Sequence, residues 1–131
     1  GLGMFDTIMQ GIKYRFILAP DSLDYDKPRG NIQVALMEGR EIDDFTTRNM
    51  NYLKTNMPGI VLQKRDSINI SSINARWFTY TKSQNGVVRD MINYIIPFQG
   101  FAYIITFGTN QGSMEKYRQN FDQIARSFNA N

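Results

Sequence analysis

The segment from Ile73 to Phe128 constrains the fold of this chain most. Three runs rich in β-branched and aromatic residues follow one another there, separated by turn residues at Asn85-Gly86 and at Gly100. An Asn-Gly pair between alternating apolar runs is the strongest short signal of a β-hairpin, and strands joined so closely usually pair with each other. The pattern therefore predicts a three-stranded antiparallel meander.

After the meander, the spacing of apolar residues changes from that of a strand to that of a helix. The last segment, SMEKYRQNFDQIARSF, places an apolar stripe on one helical face, formed by Met114, Tyr117, Phe121, Ile124, Ala125 and Phe128. Residues Glu41 to Met57 show similar spacing, with Tyr52 beside the stripe. Acidic residues crowd the first turn of this segment, where they suit the helix dipole, and Pro58-Gly59 ends it. Two helices are therefore predicted.

Three further strands are predicted before the meander, at Ile12–Leu18, Asn31–Glu38 and Ile60–Ile70. Both faces of the meander are apolar, so each face needs a cover, and the two helices are the obvious covers. We therefore expect an α+β fold: a three-layer α/β/α sandwich on a central antiparallel sheet of about six strands. The residues expected to be buried are Trp77, Ile92, Tyr103, Ile105, Phe121 and Phe128.

The length of 131 residues predicts a single domain over 1–131. The chain opens Gly-Leu-Gly rather than with methionine. Residues 1–11 are therefore interpreted as either a processed or an added N-terminus, and processing would be consistent with removal of a signal peptide or lipoprotein anchor. On this interpretation, the protein lies in the cell envelope or is secreted. A cytoplasmic location is the alternative.

The residue types present argue against several classes of function. The chain contains no histidine and no cysteine, which removes the commonest general base and the commonest transition-metal ligands. No nucleophile stands beside a base, and no glycine-rich phosphate loop follows a strand. The net charge of +3 is dispersed along the chain, unlike the basic patch of a nucleic-acid binder. We expect no catalytic residue, no cofactor, no metal site and no nucleic-acid partner.

Tyrosines provide the first candidate partner-binding residues. Tyr80 and Tyr94, together with Tyr103, are predicted to form an aromatic surface patch if one face of the sheet is only partly covered. The aromatic residues make up 13% of the chain, more than two helices and one small core readily hide. This surplus favours binding of another protein.

Two arginines of the meander are the other candidates. Arg76 and Arg89 are predicted to face each other across the first hairpin and to bind an anion. The alternative is that Asp90 and Glu38 neutralise them. No transmembrane run is present, and a monomer or weak dimer is expected.

Several motifs together resemble the PsbP-like superfamily. They are RWFTYT, the Asn-Gly turn, AYIITF, the helix ending in FDQIARSF, and the earlier helix DDFTTRNMNYLKTNMPG, which is similar to bacterial DcrB-like proteins. The likeness covers residues 12 to 128. Where the family has a Pro-Gly-Trp corner, this chain has Ala19-Pro20-Asp21. These motifs are structural, so no functional residue is transferred from the family.

The resemblance implies a non-enzymatic accessory protein that binds another protein. A cell-envelope accessory protein is the preferred interpretation. The alternative is a cytoplasmic chaperone or adaptor for a secreted effector, like the Eag-type chaperones of type VI secretion. A signal peptide or an acylated cysteine upstream in the gene would favour the first interpretation, and a plain initiator methionine would favour the second.

Overall fold

The computed structural model describes residues 29–128 in full and residues 3–9 and 12–18 by their backbone. Seven strands and two helices are present in these ranges. In chain order they are β1 (Gly3–Met9), β2 (Ile12–Leu18), β3 (Arg29–Leu36), α1 (Ile42–Asn56), β4 (Ile60–Ile70), β5 (Ile73–Gln84), β6 (Val87–Phe98), β7 (Phe101–Asn110) and α2 (Met114–Arg126).

The main sheet has five antiparallel strands in the order β3-β7-β6-β5-β4. The predicted meander of β5, β6 and β7 is confirmed, and β6 is the central strand. The expected sixth strand, β2, does not belong to this sheet but pairs with β1 in a separate two-stranded sheet. The sequence interpretation missed β1. β1 directly precedes β2 and pairs with it along its whole length, so the strand partner of β2 is its neighbour in the chain rather than a strand of the main sheet.

The two helices pack against two different clusters of buried side chains. Residues of α2 join the larger cluster, which contains Ile92, Tyr94 and Ile96 of β6. Residues of α1 join the other cluster, to which β6 contributes Ile95 and Met91. Alternate residues of a strand point to opposite faces, so this division follows from the pleat of the sheet. We call these two sides the α2 face and the α1 face.

The predicted core is largely confirmed. Tyr103, Ile105 and Ile92 are fully buried, and the whole predicted stripe of α2 contacts the larger cluster. Trp77 is only half-buried at the border of that cluster. Its ring lies under the guanidinium of Arg118, whose central carbon is 4.0 Å from the ring centroid. This tryptophan therefore serves both as core and as a cation–π partner.

Helix α1 covers its face less completely than α2 does. Its only fully buried residue is Thr46, whose hydroxyl donates to the carbonyl of Ile42 at 2.7 Å. Phe45 and Leu53 pack against the smaller cluster but are only half-buried. Tyr52, predicted beside the apolar stripe, is 62% exposed. Among the residues that the structure describes, no helix therefore lies over part of the α1 face.

Candidate partner-binding site

A cavity of about 810 Å³ opens on the α1 face of the sheet. Its lining comes from β3, β5, β6 and β7 and from the turn between β5 and β6. Three basic residues contribute to it: Arg29, Lys82 and Arg89. Among the described residues that line the cavity, no acidic side chain is present. The volume lies within the usual range for ligand pockets, about 300–1,000 Å³.

The strand register explains why these basic residues come together. Lys82 of β5 is directly opposite Arg89 of β6, and Gly108 of β7 is directly opposite Arg29 of β3. Gly108 is also opposite Met91, two residues after Arg89 on the same face of β6. One face of four neighbouring strands thus carries all three cations.

Gly108 is needed for the shape of this surface. A Cβ atom at this position would lie 2.8 Å from the sulfur of Met91 and 3.6 Å from Nε of Arg89. The first distance is well below van der Waals contact, so a side chain would displace Met91. The absence of a side chain therefore lets Met91 and Arg89 lie across β7.

The electrostatics of the site reflect its concave shape and like charges. Burial lowers the pKa of Arg89, and the positive charge of Arg29 lowers it further. Asn31, Gln84 and Asn85 add side-chain amides to the lining.

A buried polar network lies where the cavity meets α1. Thr106, which lines the cavity, donates its hydroxyl to Oδ1 of Asn93 at 2.9 Å. The same oxygen accepts a hydrogen bond from the hydroxyl of Tyr80 at 3.0 Å. Nδ2 of Asn93 donates to Oδ1 of Asn49 in α1 at 3.3 Å. The network fixes the inner edge of the cavity to the helix.

Two of the four predicted site residues, Tyr80 and Tyr94, are buried rather than exposed. Tyr80 is 4% exposed and Tyr94 is 0% exposed, and they lie on opposite faces of the sheet. Tyr103 is also buried, on the α2 face. The expected aromatic surface patch is therefore wrong, because the rings fill the two core clusters. Tyr80 is nevertheless linked to the cavity, because its hydroxyl donates to the same oxygen of Asn93 as the hydroxyl of the lining residue Thr106.

Tyr94 belongs to a separate polar group beneath α2. Its hydroxyl donates to the carboxylate of Asp122, which also forms an ion pair with Arg118 at 3.1 Å. Burial raises the pKa of Tyr94, and the adjacent carboxylate raises it further. The hydroxyl thus stays protonated and ties the sheet to α2.

Arg76 and Arg89 do not face each other, contrary to the prediction. Arg76 is opposite Ile95 in the register, and Nε of Arg76 donates to Oδ1 of Asp43 at 2.7 Å. Hydrogen bonding to Arg76 holds the pKa of Asp43 below its ordinary value. Arg76 therefore links β5 to the start of α1 and lies outside the cavity lining, whereas Arg89 is part of it.

The alternative neutralising partners have other contacts. Glu38 forms an ion pair with Arg40 at 3.0 Å, and Asp90 accepts a hydrogen bond from the backbone amide of Gly112 at 2.8 Å. The sequence interpretation missed Arg29 and Lys82. Counting back from the two-residue turn at Asn85-Gly86 gives the pairing of Lys82 with Arg89, so that half of the site was readable.

Within the part of the chain that the structure describes, no cluster of acidic side chains has the arrangement of a metal site. In the same residues, no helix combines the length and apolar character that crossing a bilayer requires.

The model of the PsbP-like protein family matches residues 20–130 of this chain. The chain belongs to the PsbP-like protein family. The match covers the main sheet, both helices and every described residue that lines the cavity. The resemblance inferred from the sequence motifs is therefore confirmed. No match was found among curated protein sequences.

Solved structures of other proteins share the PsbP-like fold. PA94 of Pseudomonas aeruginosa, a protein of unknown function, is 19% identical with a TM-score of 0.70, over 97% of this chain and 81% of its own. Cyanobacterial PsbP of Synechocystis sp. PCC 6803 is 11% identical with a TM-score of 0.69, over 99% and 92%. LpqN of Mycobacterium tuberculosis is 12% identical with a TM-score of 0.62, over 99% and 84%. At these identities the likeness concerns the fold.

Proposed function

We propose that this PsbP-like chain is a single-domain, three-layer α/β/α sandwich that acts as a non-enzymatic accessory protein of the cell envelope and binds another protein. The observation that carries the proposal is the part of the α1 face that no described helix covers, where the basic cavity opens. A concave surface with polar groups around apolar Val87 and Met91 has the composition of a binding site.

The similar structures support the location. LpqN is described as involved in cell envelope biogenesis. The family model covers most of this chain, and the sequence contains no histidine or cysteine for the commonest catalytic constellations. Tyr80, Tyr94, Arg76 and Arg89 were proposed to contact the partner. Of these, Arg89 lines the cavity and is proposed to contact the partner directly. Tyr80 is proposed to act indirectly, because its hydrogen bond to Asn93 supports the inner edge of the cavity.

Site-specific photo-crosslinking in the native cell tests the proposal. A photoreactive amino acid replaces Val87, which is 52% exposed at the cavity, or Val61, which is 60% exposed on β4. The two positions are matched valines of similar exposure, and only one lines the cavity. We expect one discrete protein adduct from position 87 and none of that mass from position 61. Identical adducts from both positions, or none from position 87, would contradict the proposal.

The location is tested with the product of the complete natural gene. Cell fractionation should place the protein in the envelope or the medium. Recovery in the cytoplasm, together with crosslinking to a secreted effector, would instead favour the chaperone alternative. In that case, deletion of the gene should reduce the amount of the effector in the cell, because a chaperone protects its client before export.

A further inference from the structure

We propose that helix α1 is a displaceable cover of the main sheet, which opens from its N-terminal end while the sheet and α2 stay folded. The proposal goes beyond partner binding, because it concerns a motion of the chain itself and holds whether or not the cavity receives a partner. Opening joins the cavity to the part of the sheet beneath α1, since Met91 both lines the cavity and packs in the cluster that α1 covers.

The two helices differ in how much apolar surface holds them to the sheet. The only fully buried residue of α1 is the polar Thr46, and the apolar residues of α1 that meet the sheet are half-buried. In α2, Phe121 and Ala125 are buried, and Phe121 stacks on Phe107 with the ring centroids 4.6 Å apart. Because the free energy of burial scales with the apolar area removed from water, separating α1 from the sheet costs less than separating α2.

Polar contacts hold the N-terminal half of α1 instead. Nε of Arg76 in β5 donates to Oδ1 of Asp43 at 2.7 Å. Nη1 of Arg65 in β4 donates to the hydroxyl of Thr47 at 2.9 Å. The side chain of Asp43 is 69% exposed, so water can replace its partner when the helix moves. Exposed ion pairs add little to stability, so these contacts position α1 without locking it.

The two ends of α1 are attached to the sheet differently. Before α1, the turn at Glu38 and Gly39 has a positive φ at both residues, and nothing lies within 4 Å of the Cβ position of Gly39. After α1, the carbonyl of Gly59 accepts a hydrogen bond from the amide of Ser83 at 3.0 Å. The end held by ion pairs therefore follows an open turn, whereas the tied end acts as the pivot.

The polar network beneath α1 is suited to opening. Nδ2 of Asn93 donates to Oδ1 of Asn49 in α1 at 3.3 Å, and Oδ1 of Asn93 accepts from Tyr80 and Thr106. Thr106 also lines the cavity, so this network lies beside solvent. When α1 moves away, water can take the place of Asn49. Opening therefore does not leave this amide buried and unpaired, which would be costly.

Thiol labelling tests the opening in the whole chain. The sequence has no cysteine, so a single introduced cysteine reports on its own position. Thr46→Cys and Ala125→Cys each place a thiol at a fully buried position, the first on α1 and the second on α2. Without denaturant, a water-soluble aromatic disulfide should label Thr46→Cys about tenfold faster than Ala125→Cys, because α2 is exposed only by global unfolding. Equal or slower labelling of Thr46→Cys would overturn the inference.

Two acidic residues in the first turn of α1 provide matched variants in the Thr46→Cys background. Asp43→Asn removes the ion pair with Arg76 and should speed labelling about threefold, the scale of an exposed ion pair. Asp44→Asn removes the same charge from the same turn, but the ion pairs of Asp44 stay within α1 and the turn before it. It should change labelling little. Equal acceleration by both variants would contradict an opening that begins at the contact with β5 and would overturn the inference.

A core variant separates local opening from global unfolding. Ile105→Val lies in the cluster beneath α2, whose packing is kept when α1 opens. It should speed the labelling of Ala125→Cys about fivefold and leave that of Thr46→Cys unchanged. Equal acceleration would mean that α1 separates only when the whole molecule unfolds, and the inference would fail.

Amide exchange of the wild-type chain decides the matter if a cysteine variant does not fold. The amides of 47–56 in α1 should exchange faster than those of 118–126 in α2, and with a weaker dependence on urea, because local opening exposes less surface than global unfolding. Exchange of both helices at the rate set by global unfolding would overturn the inference.

Discussion

Phe121 illustrates how a single side chain joins α2 to the main sheet. Its ring stacks on Phe107 of β7 with the ring centroids 4.6 Å apart and the planes 5° from parallel. Tyr117 lies alongside at 6.1 Å. The helical spacing of α2 predicted that Phe121 is buried, and the structure confirms it. The choice of Phe107 as its stacking partner was not predictable, because the partner depends on where α2 crosses the sheet.

We predict that Phe121→Ala lowers the free energy of unfolding by about 3–5 kcal/mol, through lost burial and a residual cavity. Urea denaturation measures this change. Tyr52→Ala is the control, since Tyr52 is 62% exposed on α1, and it should cost less than about 0.5 kcal/mol. A loss below about 1 kcal/mol for Phe121→Ala would mean that another face of α2 meets the sheet.

Two buried tyrosines, which the sequence suggested as partner contacts, lead to a prediction about how stability depends on pH. Burial raises the pKa of Tyr80 and of Tyr94 above the ordinary tyrosine value of 10.0. A group whose pKa is raised by folding stabilises the folded state below its unfolded pKa, and that stabilisation is lost as the pH rises above it. We therefore predict that stability falls above about pH 10 and that neither hydroxyl ionises there while the protein is folded.

Tyrosinate absorbance tests this at alkaline pH. In the folded protein, the Tyr80→Phe/Tyr94→Phe double variant should show the same absorbance change near pH 10.0 as the wild type. In urea it should lose part of that change. A smaller change in the folded double variant would show that these hydroxyls are accessible.

At the scale of elements, the boundaries were predicted well and the pairings less well. The predicted helix at Glu41 to Met57 is observed as Ile42–Asn56, and the predicted strand Ile60–Ile70 is observed without change. Apolar spacing and turn residues are local signals, so they give the elements directly. The error about Arg76 and Arg89 had a different origin. Facing residues across a hairpin follow from the register, which must be counted outward from the turn.

The connection from α1 to β4 gives a prediction at this scale. Gly59 has a φ of +84°, and a Cβ atom there would lie 2.5 Å from the carbonyl oxygen of Ser83. Gly39, before α1, has a φ of +75° but nothing within 4 Å of its Cβ position. Both sites disfavour alanine by roughly 1–2 kcal/mol because of the left-handed backbone, and only Gly59 adds a clash.

We predict that Gly59→Ala destabilises the protein by about 2 kcal/mol more than Gly39→Ala, since overpacking against backbone is added to the shared backbone strain. Chemical denaturation of the two variants gives the difference. Both positions share the free-energy cost of alanine in a left-handed backbone conformation, so the difference between the two variants isolates the contact with Ser83. Equal losses would mean that the connection moves away from β5 at little cost.

At the scale of the whole molecule, the fold class followed from the sequence but the strand count of the main sheet did not. Both faces of the meander are apolar, and this predicted two covering helices. The assignment of β2 depended on long-range pairing, and a local pattern does not distinguish a partner in the main sheet from β1. The Arg29 half of the cavity was also beyond sequence reasoning, because it needs Arg29 to pair with Gly108, and their strands, β3 and β7, are far apart in the chain.

The strand order predicts where the molecule is most protected from exchange. β6 is the central strand and holds five consecutive fully buried or nearly buried residues from Ile92 to Ile96. We predict that the backbone amides of 92–96 exchange with solvent only through global unfolding, while those of the edge strand β4 exchange through local opening. Hydrogen exchange monitored by NMR measures this. Comparable rates in β4 and β6 would contradict the prediction.

The glycine at 108 and the cations around it stand on strands of the main sheet rather than on loops. On the proposed function, a surface of this kind would lose little conformational freedom on binding and would select ligands by spacing rather than by adapting to them. Its placement on strands would also limit how the protein could change its partner. The cavity residue Arg89 is separated from the core residue Ile92 by only three positions of β6, and Thr106 stands between Ile105 and Phe107 of the core. New specificity is therefore expected to arise by exchanging side chains at fixed positions, whereas insertions here would shift the register and expose the core.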